Sequence, residues 1–435
     1  MDGYKAPGSD GLQAIFYQTQ WDVVGASICS LIHGLIHGFE SNPTTISCVN
    51  DTLITLIPKV ENVEMLKHMR PISLCNVSYK ILSKILATRL RNVMGKLVGP
   101  NQCSFVPNRQ MRQGDPISPY IFVLCMERLF HLIEIAVNHQ LWKPIRISRG
   151  GPKIAHLAFA DDLLLFAEAS VDQVEIIQTC LDLFCSSSGQ KVSQDKTRIH
   201  FSKNVSWRVR EEISNKFGFL RTDNLGKYLG VPIHHRRVNR VLFKGVVEKV
   251  NQRLSSWKAK TLSFAGRVTL TQSVLSALPS YLMQSVYLPR QVCDELDKHY
   301  RRFLWDDKEN KHRLHAVSWE VISKPRLEGG LNIRSTRHMN SLFMMKNCWE
   351  FITQPDKLWV KVLNAKYKCG TARIPRVTAK KSASNVWRGM CSVWSMVSQN
   401  IIWRIGDGNH VRFWLDYYNP SHFKIYKLLL KLLNL

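Results

Sequence analysis

The sequence predicts an α+β protein in which short strands and long helices share the first half of the chain and helices dominate the second half. Strand-like apolar runs occur at residues 53–57 and on both sides of an acidic pair within 153–168. Apolar residues recur at helical spacing in 79–97 and again beyond about residue 236. No internal repeat is visible, so the elements belong to a non-repetitive fold.

Net charge is the strongest compositional signal. The 435 residues include 60 Lys and Arg against 33 Asp and Glu, a formal balance of +27, which predicts a polyanionic partner. With 45% hydrophobic and 10% aromatic residues, the chain is a folded body rather than a disordered basic tail. A membrane surface is the alternative partner, but the basic residues are spread along the chain between aromatic ones. This distribution favours a nucleic-acid groove.

Cysteine spacing and the N-terminal residues indicate the cellular setting. The 11 cysteines form no C-x-x-C pair and no Cys/His cluster with zinc-ligand spacing, which predicts reduced thiols. The N-terminus lacks a signal-peptide pattern, and no apolar run approaches the roughly 20 residues of a membrane span. We therefore expect an intracellular protein, nuclear or cytoplasmic, that is not secreted and has no membrane partner.

The first part of the chain alternates helices and strands. A helix is predicted over 21–39, a buried strand over 53–57 and an extended segment over 70–74, since Pro71 disfavours helix there. The run at 79–97 is helical, with an apolar stripe on one side. Its other face carries basic residues, namely Lys80, Lys84, Arg89 and Arg91.

The middle of the chain reads as a helix, a hairpin and a second helix. Asp115 is placed as the N-cap and Pro116 as the first residue of a long apolar helix. Residues 153–168 predict a hairpin with Asp161 and Asp162 at its tip. Ser170 and Gln173 then form a capping-box pattern, and the helix should stop near Gly189.

The second half predicts a separate helical unit. Apolar stripes begin at Phe243 and run past Leu254 and Leu270 to Pro279. From about Gly329 the chain is rich in Trp and Lys, which suits either core packing or a binding platform. Packing is favoured because the Trp residues alternate with ordinary apolar neighbours.

The adjacent acids Asp161 and Asp162 are the main candidates for chemistry. Two carboxylates on a tight turn repel each other, and a divalent cation such as Mg²⁺ is their natural compensator. Carboxylates that hold two such ions catalyse phosphoryl or nucleotidyl transfer. The alternative is structural, because Asp is also a common turn residue.

Motifs along almost the whole chain resemble the reverse transcriptases of plant non-LTR retrotransposons of the long interspersed element type. Fingers-like motifs are KAPGSDG (5–11), LIPK (56–59), RPISL (70–74) and SFVPNRQ (104–110). Palm-like motifs are RQGDPISPYIF (112–122), FADD (159–162), SGQKVSQDKT (188–197) and KYLGVPI (227–233). Thumb-like and connection motifs are SSWKAKTLSFAGRVTL (255–270), YLMQ (281–284), RRFLWDD (301–307) and EGGLNIRS (328–335).

The resemblance implies a right-hand polymerase fold and RNA-directed DNA synthesis with Mg²⁺ on an RNA template and a DNA primer. It gives Asp161 and Asp162 the role of metal ligands. Lys59 and Arg70 would reach the nucleotide triphosphate, and Lys196 would lie near the leaving pyrophosphate. Arg112, Gln113 and Gly114 would line the nucleotide and template side of the site.

One part of the family pattern is missing. The family has a strand with the first catalytic aspartate between the FVP-x-R segment and RQGDP, but here Arg109 is followed almost directly by Arg112. No other acid can replace this aspartate, because none has a strand before it and the family's spacing after it. The acids considered are Asp115, Asp182, Asp306 and Asp307. The sequence therefore predicts an incomplete palm sheet and a catalytically defective polymerase, from a degenerate element copy or from a mis-spliced gene product.

These observations predict four segments and leave three functions open. The segments are fingers-like (1–111), partial palm (112–235), helical thumb-like (236–328) and Trp/Lys-rich connection (329–435), the last being read as truncated. The leading function is a reverse-transcriptase-domain protein that is inactive as written. The alternatives are a non-catalytic RNA- or DNA-binding protein and an unstable pseudogene product.

Overall fold

The computed structural model describes residues 2–41, 49–99, 116–233, 240–256, 262–306, 314–370, 375, 377–379 and 382–401. The chain forms two compact units. One consists of Met1–Arg146 and Lys153–Leu220, and the other of Ile147–Pro152 and Arg221–Leu435. Within the ranges just given, no helix is long and apolar enough to cross a membrane.

The first unit combines six helices with short strand pairs in its described part. The helices are α1 (Ala14–Thr19), α2 (Trp21–Ser41), α3 (Val77–Leu97), α4 (Ser118–Asn138), α5 (Val171–Ser188) and α6 (Trp207–Phe217). The strands are β1 (Thr52–Pro58), β2 (Met69–Cys75), β3 (Ile145–Arg146), β4 (Lys153–Ile154), β5 (His156–Phe159), β6 (Asp162–Leu165), β7 (Arg198–Ile199) and β8 (Leu220–Arg221). Each described sheet has two strands, and the pairs are β1–β2, β3–β4, β5–β6 and β7–β8.

Strands β1 and β2 form an antiparallel hairpin whose register runs from Thr52 opposite Cys75 to Pro58 opposite Met69. The prediction that residues 53–57 are buried is wrong. Leu53 is 51% exposed and Ile54 is 69% exposed. The physical reason is that no described helix covers this sheet, so the apolar side chains of β1 lie against solvent in the described part of the chain.

Helix α3 packs its apolar side against α2, where Ile32, Leu35 and Leu82 form a small core. Its basic residues Lys84 and Arg89 are exposed, as predicted, and so is Arg91. Lys80 is half-buried instead, and its Nζ lies 3.5 Å from the carbonyl oxygen of Ala6.

Helix α4 begins later than the sequence predicted. Its first residue is Ser118 and its N-cap is Ile117, which makes no side-chain capping bond. Pro119 then occupies one of the first two helical positions, where its missing N–H costs nothing. Pro116 therefore precedes the helix, and Asp115 lies outside the described residues.

The second core of this unit lies beneath the β5–β6 hairpin. Leu129 and Phe130 of α4, Ala158 of β5 and Phe184 of α5 are buried there together with Trp142. The Trp142 indole N–H donates to the carbonyl oxygen of Phe166 at 2.9 Å. Helix α4, the β5–β6 hairpin and α5 thus pack as a small helix-covered sheet.

The predicted ends of α5 are confirmed. The Ser170 hydroxyl accepts a hydrogen bond from the backbone N–H of Gln173, and Gly189 ends the helix with φ of 70°. A left-handed residue at this position is the usual reason for glycine at a helix C-terminus. Gln173 also ties the helix to the preceding loop, because its side chain bonds the N–H of Lys143 and the carbonyl of Leu141.

The second unit is almost entirely helical. Its helices are α7 (Lys244–Ser256), α8 (Phe264–Leu270), α9 (Ser280–Met283), α10 (Arg290–Trp305), α11 (Trp319–Ile322), α12 (Thr336–Thr353), α13 (Leu358–Tyr367) and α14 (Asn385–Gln399). Strands β9 (Lys227–Tyr228) and β10 (Val231–Pro232) form a short antiparallel pair. The predicted stripe is confirmed at Phe243, Val246 and Val250, which are all buried.

Two cores hold the second unit together. One is centred on α10, whose Leu296, Tyr300 and Leu304 are fully buried. The other surrounds Trp387 of α14, so the packing role predicted for the Trp-rich region is confirmed at this residue. Trp403 and Trp414 lie outside the described residues.

A buried carboxylate connects α10 to α12. Asp297 of α10 is 6% exposed and accepts hydrogen bonds from the backbone N–H of Thr336 at 3.0 Å and from the Ser335 hydroxyl at 3.3 Å. The Thr336 hydroxyl donates to the same carboxylate. Burial raises the pKa of Asp297, although these hydrogen bonds act in the opposite direction. The side chain thus caps the first turn of α12 from another helix.

Candidate active site

The predicted acidic hairpin is present. Strand β5 pairs with β6 in an antiparallel register that runs from His156 opposite Leu165 to Phe159 opposite Asp162. Ala160 and Asp161 form the two-residue turn, and Asp162 is the first residue of β6. The prediction that both acids lie at the tip of a hairpin is therefore confirmed.

The turn is held in an uncommon backbone conformation. Ala160 has φ of 53°, a region in which glycine is favoured and an L side chain is strained. The strands that pair on either side and the buried position of Ala160, which is 6% exposed, hold the turn in place. The two carboxylates are thus presented by a defined turn rather than by a loose loop.

The electrostatics of the pair favour a cation. Both side chains are exposed, and neither forms an ion pair with another described residue. Partial burial and the neighbouring charge of Asp161 raise the pKa of Asp162. Like charges on adjacent residues therefore repel each other at the tip, and a bound divalent ion would relieve this repulsion.

The inward face of the hairpin contains a residue that sequence reasoning missed. The His156 ring is 7% exposed and stacks on Phe130 with ring centroids 4.6 Å apart and an interplanar angle of 5°. Its Nδ1 has no hydrogen-bond partner among the described residues, and burial lowers the pKa of His156 to about 4. At neutral pH the ring is therefore uncharged and acts as an aromatic side chain that fixes β5 on α4.

A signal for His156 was available in the sequence. His156 and Ala158 of β5 and the turn residue Ala160 are alternate positions of the chain, and all three are buried. Alternation with period two marks one face of a strand, so the inward position of this histidine followed from the hairpin itself.

The two predicted triphosphate contacts lie together on the other hairpin. Arg70 of β2 is opposite Ile57, and Lys59 follows β1 directly, with its backbone N–H donating to the carbonyl of His68 at 2.8 Å. Both side chains are exposed. The antiparallel register explains their proximity, since it places the end of β1 beside the start of β2.

The remaining predicted site residues are placed elsewhere or not described. Lys196 lies in a turn between α5 and β7, where its N–H bonds the carbonyl of Ser193, and its side chain is exposed. The structure places the carboxylates, Lys196 and the Lys59–Arg70 pair on three separate elements of the first unit. Arg112, Gln113 and Gly114 lie outside the described residues.

The carboxylate pair does not by itself make up a metal site of three or more ligands. Among the described residues, no group of three or more His, Cys, Asp or Glu side chains could hold a metal ion. Asp161 and Asp162 nevertheless supply the hard oxygen ligands that Mg²⁺ prefers. Mg²⁺ is often bound by one or two carboxylates, with phosphate oxygens and water completing its shell.

The middle of the chain matches a known family. Residues 106–233 match the family model described as reverse transcriptase (RNA-dependent DNA polymerase). The match includes Asp161, Asp162 and Lys196, whereas Lys59 and Arg70 precede it.

Three relatives extend the comparison. A protein of Arabidopsis thaliana named as a ribonuclease H protein is 38% identical over 43% of this chain and 30% of its own length. The transposon TX1 protein of Xenopus laevis is 22% identical over 84% of this chain and 33% of its own length. The Pol polyprotein of the retrotransposable element R2DM of Drosophila melanogaster is 37% identical over 21% of this chain and 8% of its own length.

The chain spans about a third of the length of the first two relatives, 30% and 33% respectively. Both transposon relatives are named for mobile elements, and the family match lies over the acidic hairpin. The chain therefore contains a reverse-transcriptase domain of the non-LTR retrotransposon type.

Proposed function

We propose that this chain is a nucleic-acid-binding protein of the reverse-transcriptase lineage that does not itself carry out templated DNA synthesis. The observation that carries this proposal is the small number of carboxylates that could serve as metal ligands. Asp115 is the only acidic residue between Glu64 and Glu127, the stretch that should contain the first catalytic aspartate of the family. Asp161 and Asp162 are then left without the third ligand of a two-metal site.

The two remaining acids fit a single Mg²⁺ ion. Asp161 and Asp162 would hold the ion, which when bound supplies positive charge to phosphate oxygens. Because partial burial and the charge of Asp161 raise the pKa of Asp162, a cation at the tip should lower it again and keep both groups ionised. Lys59 and Arg70 are suited to charge-assisted hydrogen bonds with phosphate, and Lys196 to the charge of a released anion.

The finer architecture belongs to the same proposal. We assign residues 1–111 to fingers, 112–235 to an incomplete palm, 236–328 to a thumb and 329–435 to a connection region. The support for this division is the order of the motifs, the family match at 106–233 and the two-stranded β5–β6 sheet.

Helix α3 supplies the best candidate surface for nucleic acid. It contains no Asp or Glu, and its Lys84, Arg89, Arg91 and Lys96 are exposed. None of these four forms an ion pair with another residue that the structure describes. A helix with unpaired cations and no acids suits contacts to the phosphate backbone, which carry no base specificity.

The catalytic part of the proposal is tested by primer extension. The protein is incubated with Mg²⁺, an RNA template, a DNA primer and deoxynucleotides, and the Asp161→Ala variant serves as the control. We expect no extension above background from either protein. Extension by the natural chain that disappears in Asp161→Ala would show that the site is complete and would overturn the proposal.

The binding part is tested separately by fluorescence anisotropy with labelled RNA. With single-stranded RNA, the triple variant Lys84→Ala, Arg89→Ala and Arg91→Ala should bind about tenfold more weakly or worse, and the slope of log K against log salt should become shallower by about 2. The matched control removes three lysines that pair with acids, in Lys143→Ala, Lys216→Ala and Lys357→Ala. Equal weakening in both triple variants would show that α3 is not the contact surface.

A further inference from the structure

The outer edge of β1 is an unusual surface for a chain of this charge. The strand has seven residues, and Leu53, Ile54, Leu56 and Ile57 are between 44% and 69% exposed. Its inner edge pairs with β2, and no described strand pairs with its outer edge. The backbone N–H and C=O groups of that edge are therefore available to another strand.

The two outer edges of the β1–β2 hairpin differ in how strongly their residues discourage pairing with a further strand. Strand β2 carries Arg70 and Pro71, a charge and a residue without an N–H, and both discourage pairing at an edge. Strand β1 contains no charged residue and no proline before Pro58. Of the two outer edges of this hairpin, that of β1 is thus the one open to pairing along most of its length in the part of the chain that the structure describes.

The β1 sequence is complementary to itself in one antiparallel register. With Thr55 opposite Thr55 of a second copy, Leu53 faces Ile57 of that copy and Ile54 faces its Leu56. Every cross-strand pair from 53 to 57 is then apolar with apolar or Thr with Thr, which are favourable pairings. A two-fold axis through Thr55 produces this arrangement and closes it at two copies.

The flanking charges agree with the same register. Asp51 precedes β1 and Lys59 follows it, and both are exposed. In the register centred on Thr55, Asp51 of each copy lies opposite Lys59 of the other. Two pairs of opposite charge therefore border the uncharged strand, although a net charge of +27 makes most of the surface repel a second copy.

We propose that two copies of this chain associate through antiparallel pairing of their β1 strands, with a two-fold axis at Thr55. The product is a four-stranded sheet in the order β2–β1–β1–β2. A seven-residue strand makes a small interface, so the dimer is weak, with a dissociation constant on the order of micromolar or weaker.

The first test measures self-association by sedimentation velocity on nuclease-treated protein over a concentration series. Thr55→Lys places two lysines opposite each other at the axis and should weaken the dimer by about tenfold or more. The control is Ser73→Lys, an exposed site on β2 of the same hairpin. The two copies of residue 73 would be separated by three strand spacings and by an offset of two residues along the strand, at least about 14 Å, so this change should leave the dimer almost unaffected.

Three results of this test would overturn the proposal. The first is a protein that stays monomeric across the concentration series. The second is association that continues beyond two copies, because a two-fold axis allows only a closed pair. The third is equal weakening by Thr55→Lys and Ser73→Lys, which would place the contact elsewhere.

The second test examines the register by cross-linking. In the proposed pairing only residue 55 faces itself, so two Thr55→Cys thiols should form a disulfide, giving two electrons and two protons to oxidised glutathione. Ile54→Cys faces Leu56 of the other copy and should not cross-link. Peptide mapping identifies the linked residues among the native cysteines. Faster linkage through residue 54 than through residue 55 would refute this register.

The third test exchanges the flanking charges. Asp51→Lys would face Lys59 of the second copy and should weaken the dimer several-fold. Adding Lys59→Asp in the same chain restores opposite charges and should restore association. A double variant that remains as weak as Asp51→Lys would contradict the paired arrangement.

Discussion

The hairpins β1–β2 and β5–β6 are made of similar strand-forming residues but differ in what covers them. The apolar residues of β5–β6 rest on α4 and α5, and Ala158 is fully buried in their core. The apolar residues of β1 face solvent, with Ile54 at 69% exposure. An apolar strand therefore stabilises the first unit only where helices cover it, and elsewhere it provides a surface for association.

The largest effect expected from this difference is in the free energy of unfolding that is lost when a leucine is replaced by alanine in each region. Leu129→Ala empties a site beneath β5–β6 that is 1% exposed and should lower the free energy of unfolding by about 2–5 kcal/mol. Leu53→Ala on β1, which is 51% exposed, should change it by less than about 1 kcal/mol. Urea denaturation, read by hydrogen exchange of β5 amides, measures both. Equal losses of unfolding free energy in the two variants would show that the side chains of β1 are buried to the same extent as those beneath β5–β6.

The next largest effect is a loss of folding stability at low pH, which we expect from the helix-covered hairpin β5–β6 and not from β1–β2. Because the pKa of His156 is lowered to about 4 in the folded state, the unfolded chain binds its proton first as the pH falls. The stability contributed by the neutral ring is complete above about pH 6.5 and is lost as the pH falls towards about 4, by at most about 3 kcal/mol.

The variant His156→Phe should reduce this loss, since phenylalanine can keep the stack on Phe130. Urea denaturation at pH 7 and pH 4.5 measures the change, and His139→Phe at an exposed position is the control. A loss of stability that is the same in the natural chain and in His156→Phe would assign the acid sensitivity to other groups.

A smaller effect concerns the cation at the hairpin tip. Millimolar Mg²⁺ should slow hydrogen exchange in β5 and β6, corresponding to about 1.4 kcal/mol if the ion is in tenfold excess over its dissociation constant. The amides of β1 and β2 should not respond. In Asp161→Asn the protection of β5 and β6 should disappear. Protection that persists in this variant would place the ion at another site.

The smallest effect is expected at the turn itself. Ala160→Gly relieves the strain of a positive φ but removes a buried methyl group, so stability should rise by less than about 1 kcal/mol. Ala158→Gly on the neighbouring strand has no strain to relieve and should be destabilising. Thermal unfolding compares the two, and a loss of stability in Ala160→Gly similar to that in Ala158→Gly would argue against strain at the turn.

Features that depend on neighbouring residues could be predicted from the sequence. The acidic tip, the Ser170 cap and the end of α5 at Gly189 each depend on a few consecutive positions. The proximity of Lys59 and Arg70 also depends on local geometry, since the two positions lie at the same end of one hairpin.

Features that depend on distant elements could not be predicted in this way. The exposure of β1 is set by the absence of a covering helix in the described structure, and no pattern within the strand reports it. The start of α4 was predicted too early, because Asp115 and Pro116 match a common capping pattern. The helix instead begins at Ser118, with Ile117 as its N-cap. The carboxylate pair was found from its motif, whereas its support by His156 and Phe130 required the packing of β5 on α4.

The hydrogen bonds of Asp297 bear on whether α10 and α12 can be separated in the sequence without loss of stability. Since this residue of α10 caps the beginning of α12, the two helices are not independent modules, even though about thirty residues separate Trp305 from Thr336. A splice junction or recombination point between them would leave a buried acid without its donors and a helix without its cap. We therefore expect α10 and α12 to be stable only when both are present in the same chain.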